Sequence, residues 1–123
     1  MERVVSVELK IDERTLIASP VGELDHLQAE RLRVQIDAAF ERSACKSIVL
    51  DMSGVSFMDS SGIGMVIGRY KNTEKRGGHL VLAAMDSAVT RLYEISGLAK
   101  IIKCTASVQE GLDLAKGGAP CKI

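Results

Sequence analysis

The sequence predicts an α/β fold, a mixed β-sheet of about five strands with about four α-helices packed against it. Three observations carry that prediction. Apolar residues alternate with polar ones near the amino terminus, short aliphatic runs stand at Ile48 to Leu50 and at Leu80 to Ala83, and stretches of helical spacing closed by glycine lie between and after them. With 123 residues, 46% of them hydrophobic, the chain can bury one core and is too short for two comfortable domains. The reading is one domain over residues 1–117, with 118–123 as a frayed tail.

The elements follow in order. Val5, Val7, Leu9 and Ile11 alternate with polar residues, Asp12-Glu13-Arg14 makes a turn, and Thr15 to Val21 is a second extended run, so the chain opens with an antiparallel hairpin. Gly22-Glu23-Leu24-Asp25 ends that strand and opens a helix to about Arg42, with Asp25 as N-cap and Gln28 in capping-box position. Leu32, Ile36, Ala39 and Phe40 supply its buried face. Ser47 to Asp51 is suited to a buried central strand. Asp59 to Arg76 contains a second helix, spaced by Ile63, Val66, Ile67 and Tyr70 and stopped by Gly77-Gly78. Ser60 and Ser61 then fall on a strand-to-helix loop. Leu80 to Ala83 forms the next strand, reached by a right-handed crossover and parallel to its predecessor. Ser87 caps a third helix with Val89, Leu92 and Tyr93 inward, and Gly97 ends it. A short strand at Ile101-Ile102 follows, and Ser107 with Glu110 forms a capping box for a last helix through Leu112 and Ala115. Aromatic residues make up 3% of the chain and tryptophan is absent, so the core must be aliphatic.

Composition excludes several classes. Sixteen basic and sixteen acidic residues cancel, which removes the basic excess of a nucleic-acid binder. Cys45, Cys104 and Cys121 are odd in number and show neither metal spacing nor a disulfide framework, as expected of reduced thiols in the cytoplasm. No apolar run approaches the roughly 18 residues of a membrane span, and Met1-Glu2-Arg3-Val4 lacks the pattern of a secretory signal.

Phe57-Met58-Asp59-Ser60-Ser61-Gly62-Ile63-Gly64 is the most informative stretch, because it sets two hydroxyls and an acid at a helix mouth. Backbone N–H groups there point outward unpaired and the helix dipole favours negative charge, which suits a phosphate on a ligand or on serine itself. Serine at a helix start ordinarily caps it, and spacing alone favours that account. Asp59 can cap unaided, however, so two further hydroxyls exceed what capping requires, and Gly62 and Gly64 leave the first turn with little side-chain cover. A nucleophilic serine enzyme would want a histidine, and the chain offers only His26 and His79. His26 follows Asp25 on a loop that can lie near Ser60, but its ordinary role is a solvated first-turn residue. Met58 stands where the first glycine of a nucleophile elbow is required. Neither a phosphate-binding P-loop nor a dinucleotide fingerprint is present. Glu23, Asp25, Asp51 and Asp59 could gather round a metal only if their loops converge, whereas Asp25 and Asp59 serve helix starts and Glu23 is exposed; no metal or cofactor is expected. The run Lys71-Asn72-Thr73-Glu74-Lys75-Arg76 reads as a solvated helix end with cations at the negative pole.

Gly22-Glu23-Leu24-Asp25-His26, Ser56 to Gly64, Gly68-Arg69-Tyr70-Lys71 and Arg91-Leu92-Tyr93-Glu94-Ile95-Ser96-Gly97-Leu98 together resemble the anti-sigma factor antagonists, whose fold is the STAS domain. The likeness covers almost the whole chain. Asp59-Ser60-Ser61-Gly62 marks the broad family, and the blocks at 68–71 and 95–98 narrow it toward the sporulation anti-sigma F factor antagonists of spore-forming bacilli.

The resemblance implies a switch that performs no reaction of its own. In that family the unmodified protein binds an anti-sigma factor that is also an ATP-dependent serine kinase, displaces the captured sigma factor and permits transcription. It also implies phosphorylation of Ser60 by that partner, reversal by a metal-dependent serine phosphatase, and a supporting part for Ser61. The implied partner-binding face comprises Gly22, Glu23, Asp25, Asp59, Ser60, Ser61, Gly62 and Gly64. A stress-response sigma pathway is the alternative setting, a serine hydrolase the alternative class, and monomer or weak dimer the expected state.

Overall fold

The computed structural model describes residues 6–117. Strands β1 (Ser6–Asp12) and β2 (Thr15–Leu24) form the antiparallel hairpin, with Asp12 opposite Thr15 and Ser6 opposite Val21. Helix α1 (His26–Glu41), strand β3 (Ser47–Asp51), strand β4 (Gly54–Met58), helix α2 (Ser60–Lys75), strand β5 (Leu80–Ala83), helix α3 (Ser87–Ile95), strand β6 (Lys103–Thr105) and helix α4 (Val108–Ala115) follow. A single 3-10 turn, Leu98–Lys100, separates α3 from β6. The sheet is mixed and runs β1-β2-β3-β5-β6, with β4 attached to β2. β3 and β5 are parallel, as expected of strands joined by a crossover.

Both faces of the central strands are covered. Leu16, Ile48, Leu50, Leu80 and Leu82 point to one side, where they meet Leu32, Ile36 and Phe40 of α1, Met65 and Val66 of α2, and Val89 and Tyr93 of α3. Val49, Val81 and Ala83 point to the other and pack with Leu112 and Ala115 of α4. That double burial explains why β3 and β5 read as unbroken aliphatic runs instead of alternating ones.

Several expectations need correction. The strand β4 (Gly54–Met58) stands where the sequence suggests loop, so Ser60 and Ser61 are the first two residues of a helix that follows β4 directly, not loop residues. The third helix is capped by Asp86, whose carboxylate accepts from the Val89 N–H at 2.8 Å, and Ser87 is its first helical residue. The last strand lies at Lys103–Thr105, not Ile101-Ile102; Ile102 is instead buried after the 3-10 turn, its carbonyl accepting from the Tyr93 hydroxyl at 2.6 Å. Nor is 71–76 simply a solvated run. Thr73 is buried, and Arg76 Nη1 donates to the carbonyls of Phe40 (3.0 Å), Ser43 (3.4 Å) and Cys45 (2.6 Å) with its guanidinium 4.0 Å from the centre of the Phe40 ring. Ser107 caps the last helix, its hydroxyl accepting from the Glu110 N–H at 3.1 Å, but the expected box is not closed on Ser107: the Glu110 carboxylate accepts from the Ala106 N–H at 3.2 Å, one residue earlier. Cys45 is buried and Cys104 exposed, while Cys121 and the tail expected at 118–123 lie outside the described residues.

Candidate switch site at two helix starts

The site is built by one long strand. The first half of β2 pairs with β3 through Thr15 to Ala18; the second half leaves β3 and pairs with β4 through Val21 to Leu24. The register shifts between Gly22 and Glu23, and Gly22 has φ +122°, a conformation that a side chain would strain. β2 and β4 are parallel and end together at Leu24 and Met58. Their helices therefore begin side by side.

Each helix is capped by its own aspartate. Asp25 Oδ1 accepts from the Gln28 N–H at 3.0 Å, and Asp59 Oδ1 accepts from the N–H groups of Ser61 (2.8 Å) and Gly62 (3.3 Å). The Asp59 N–H in turn donates to the Leu24 carbonyl at 3.4 Å, tying the two corners together. Ser60 is exposed, and its hydroxyl forms no hydrogen bond with a described residue. Ser61 is half-buried, and its Oγ lies 3.1 Å from His26 Nδ1. His26 thus reaches Ser61 and not Ser60, near which the sequence places it.

The candidate residues do not share one aspect. Glu23 and Ser60 are exposed, Asp25, Asp59 and Ser61 half-buried, and Gly64 open to solvent with no atom near the place of a Cβ. Gly62 faces inward, contrary to the expectation of an uncovered turn: a Cβ there would stand 2.8 Å from the Leu24 carbonyl oxygen. Its lack of a side chain lets α2 start hard against β2. Asp51 lies apart and closes a small turn on Ser53, accepting from that residue's N–H at 3.1 Å and hydroxyl at 2.8 Å. Among the described residues no three His, Cys, Asp or Glu side chains are placed to hold a metal ion.

Three neighbours escaped the sequence. Phe57 is 44% exposed one residue before Met58 and borders a cleft of about 850 Å³ against Met85, Ala88, Arg91 and Leu92. Arg69, only 6% exposed, sets its Nε 2.8 Å from Asp37 Oδ1 in an ion pair that joins α2 to α1 without good hydrogen-bond direction at that nitrogen. Burial lowers the affinity of its guanidinium for its proton, and Asp37 opposes this. The third is the His26 to Ser61 contact, for which the adjacent Asp25 cap was the available signal.

This arrangement is that of a known regulatory domain. Residues 6–111 match the family model described as STAS domain. The chain is 39% identical over 98 residues to the anti-sigma F factor antagonist of Paenibacillus polymyxa, covering 80% of this chain and 84% of that one. It is 33% identical over 108 residues to the anti-sigma-B factor antagonist of Bacillus subtilis (strain 168), covering 88% and 97%. The solved structure of the Bacillus cell fate determinant SpoIIAA in the phosphorylated form superposes with TM-score 0.68 at 30% identity, covering 89% of this chain and 98% of that one. The chain belongs to the STAS-domain family, in its group of anti-sigma factor antagonists. No helix among the described residues is long and apolar enough to cross a membrane.

Proposed function

We propose that this chain in its unphosphorylated form binds an anti-sigma factor that is also an ATP-dependent serine kinase, releases the sigma factor held there, and is switched off by phosphorylation of Ser60. The observation that carries the reading is the state of that residue. Ser60 is exposed in the first turn of α2 with its hydroxyl unengaged, which is what a phosphate acceptor needs when the base and metal come from another protein. Glu23, Asp25, Asp59, Ser60, Ser61 and Gly64 gather round the paired helix starts and form the docking face; Gly22 and Gly62 serve it by shaping the backbone beneath. A serine phosphatase would restore the active form. Sporulation is the setting we favour on the 39% identity to the Paenibacillus polymyxa anti-sigma F antagonist, with a stress-response pathway the alternative, since the anti-sigma F antagonist of Lysinibacillus sphaericus is 31% identical and the anti-sigma-B antagonist of Bacillus subtilis 33%.

Phosphate added at Ser60 brings about −1.5 to −2 charges onto a surface that already carries Glu23 and Asp59. Set against an acidic group of the partner, a like unit charge 4 Å away costs about 4 kcal/mol at an effective dielectric near 20, and a near-complete switch in occupancy takes about 5.5 kcal/mol. Charge and bulk together suffice. Incubation of the chain with the anti-sigma kinase and ATP, followed by mass-spectrometric localisation, tests the assignment: the reading requires phosphate on Ser60, and phosphate confined to Ser61 or Ser56 defeats it. A serine hydrolase would cleave a generic ester without a partner, and its histidine would need to serve Ser60, which His26 does not touch.

A further inference from the structure

Ser60 and Ser61 share a helical turn, yet their side chains meet different surroundings. Ser61, with His26, Ala29, Gly64 and Gly68, lines the groove of about 360 Å³ between α1 and α2; Ser60 does not. His26 is the first residue of α1, and its Nδ1 stands 3.1 Å from Ser61 Oγ across the mouth of that groove. The Ser61 backbone is held as well, its N–H bonded to Asp59 at 2.8 Å. With the proton on Nε2, the imidazole Nδ1 accepts from the Ser61 hydroxyl and pins its hydrogen; with the proton on Nδ1, it occupies a lone pair of Oγ. In both tautomers the hydroxyl is engaged.

We propose that His26 is a positioning residue that withholds Ser61 from phosphoryl transfer and so directs it to Ser60. This rests on the reading of the serine pair as the kinase substrate. In that transfer the Ser60 Oγ forms a bond to the γ-phosphorus of ATP, the bond from that phosphorus to the β-γ bridging oxygen breaks, ADP leaves, and the hydroxyl proton passes to a base on the kinase. To take part, Ser61 would first have to give up His26 and turn out of the groove. The opposite role, in which His26 draws the proton from Ser61 and makes it the better nucleophile, needs a third group to orient the ring. No described residue hydrogen-bonds His26 Nε2.

The full-length chain and its His26→Ala and His26→Asn variants are phosphorylated with ATP and the anti-sigma F factor of Paenibacillus polymyxa, using that organism's own antagonist as positive control, and the phosphate is localised by mass spectrometry. The wild type carries its phosphate predominantly on Ser60, with a minor, quantifiable fraction on Ser61. His26→Ala raises the rate at Ser61 roughly fivefold, the worth of one ordinary hydrogen bond, and His26→Asn, which keeps a polar atom near Nδ1, returns it toward the wild-type value. Unchanged phosphate positions in His26→Ala overturn the proposal and leave Ser60 as acceptor. Phosphate on Ser61 of the wild type that disappears in His26→Ala shows activation, and overturns it too. A wild-type chain left bare while the control is modified defeats the acceptor reading itself. Independently of any kinase, the imidazole nitrogen resonances of His26 must shift on Ser61→Ala; identical spectra would mean that no such contact exists.

Discussion

An exposed hydroxyl and a buried one make opposite predictions. At Ser60 a change of charge touches the surface and nothing beneath it, since the side chain has no described partner. Ser60→Ala is expected to bind the anti-sigma factor as the wild type does and to escape inactivation. Ser60→Asp carries one charge in place of the phosphate's larger one, so its affinity should fall roughly 10- to 100-fold, about 1.4 to 2.7 kcal/mol; titration calorimetry reads both. Tyr93 is the buried counterpart, its hydroxyl donating to the Ile102 carbonyl at 2.6 Å. Burial, with Cys104 adding to it, pushes its pKa up from 10.0 to about 12. The fold therefore favours the neutral phenol. The stability it lends is whole below pH 10, the ordinary value, and is lost as pH climbs through the folded value of about 12. Tyr93→Phe should flatten the alkaline arm of a stability profile and cost about 1–3 kcal/mol for the Ile102 carbonyl left unpaired; an alkaline arm of unchanged slope would assign it to other groups.

At the scale of elements, two devices fix where helices begin and end. α2 starts against β2 because Gly62 leaves no side chain between them. Gly62→Ala would drive a Cβ to 2.8 Å from the Leu24 oxygen and 3.1 Å from Met58 Cβ, so the helix start must move. A loss of about 1–3 kcal/mol in urea unfolding, with amide shifts in NMR spread over both helix starts, is expected. The same helix ends at Arg76, whose one nitrogen gathers three carbonyls from the end of α1 and the loop after it. Arg76→Ala should cost about 2–4 kcal/mol and Arg76→Lys recover part, because a lysine keeps the charge but cannot stack its plane on Phe40. This is also the scale at which the sequence speaks most and then fails. Helices α2 and α4 were legible because cap, apolar stripe and glycine stop agree in each, and α1 because its Asp25 cap and apolar stripe agree. β4 was not: Gly54 opens it, Ser56 and Phe57 are both exposed, and its partner is the far half of β2, so five residues show neither alternation nor a continuous apolar run. β6 was misplaced because the apolar pair Ile101-Ile102 outweighs Lys103-Cys104-Thr105, an edge strand with exposed Lys103 and Cys104. The site motif itself was plain, since Asp59-Ser60-Ser61-Gly62 is contiguous, whereas the Asp37 to Arg69 pair and the His26 to Ser61 contact join residues 32 to 35 positions apart through helix packing that no local pattern encodes.

For the whole molecule the question that the proposed switch raises is whether a phosphate on Ser60 would act by reshaping the fold or by covering its surface. Core packing lies beneath the sheet's two helical layers, and Ser60 belongs to neither cluster. A phosphate at the first turn of α2 meets the positive end of a 16-residue helix, which favours it, and the Asp59 carboxylate, which does not. The two effects oppose each other, so the net change in folding free energy should stay within about 1 kcal/mol, and the melting temperature within about 4 °C of the unmodified protein. Circular dichroism melts of the two forms at equal concentration decide the matter. If the phosphorylated chain melts more than 10 °C lower, or loses amide protection across β2 and β4, inactivation works through the fold. A matched melt combined with lost binding assigns the switch to the contact surface alone, and with it the requirement that the anti-sigma factor read charge at Ser60 directly.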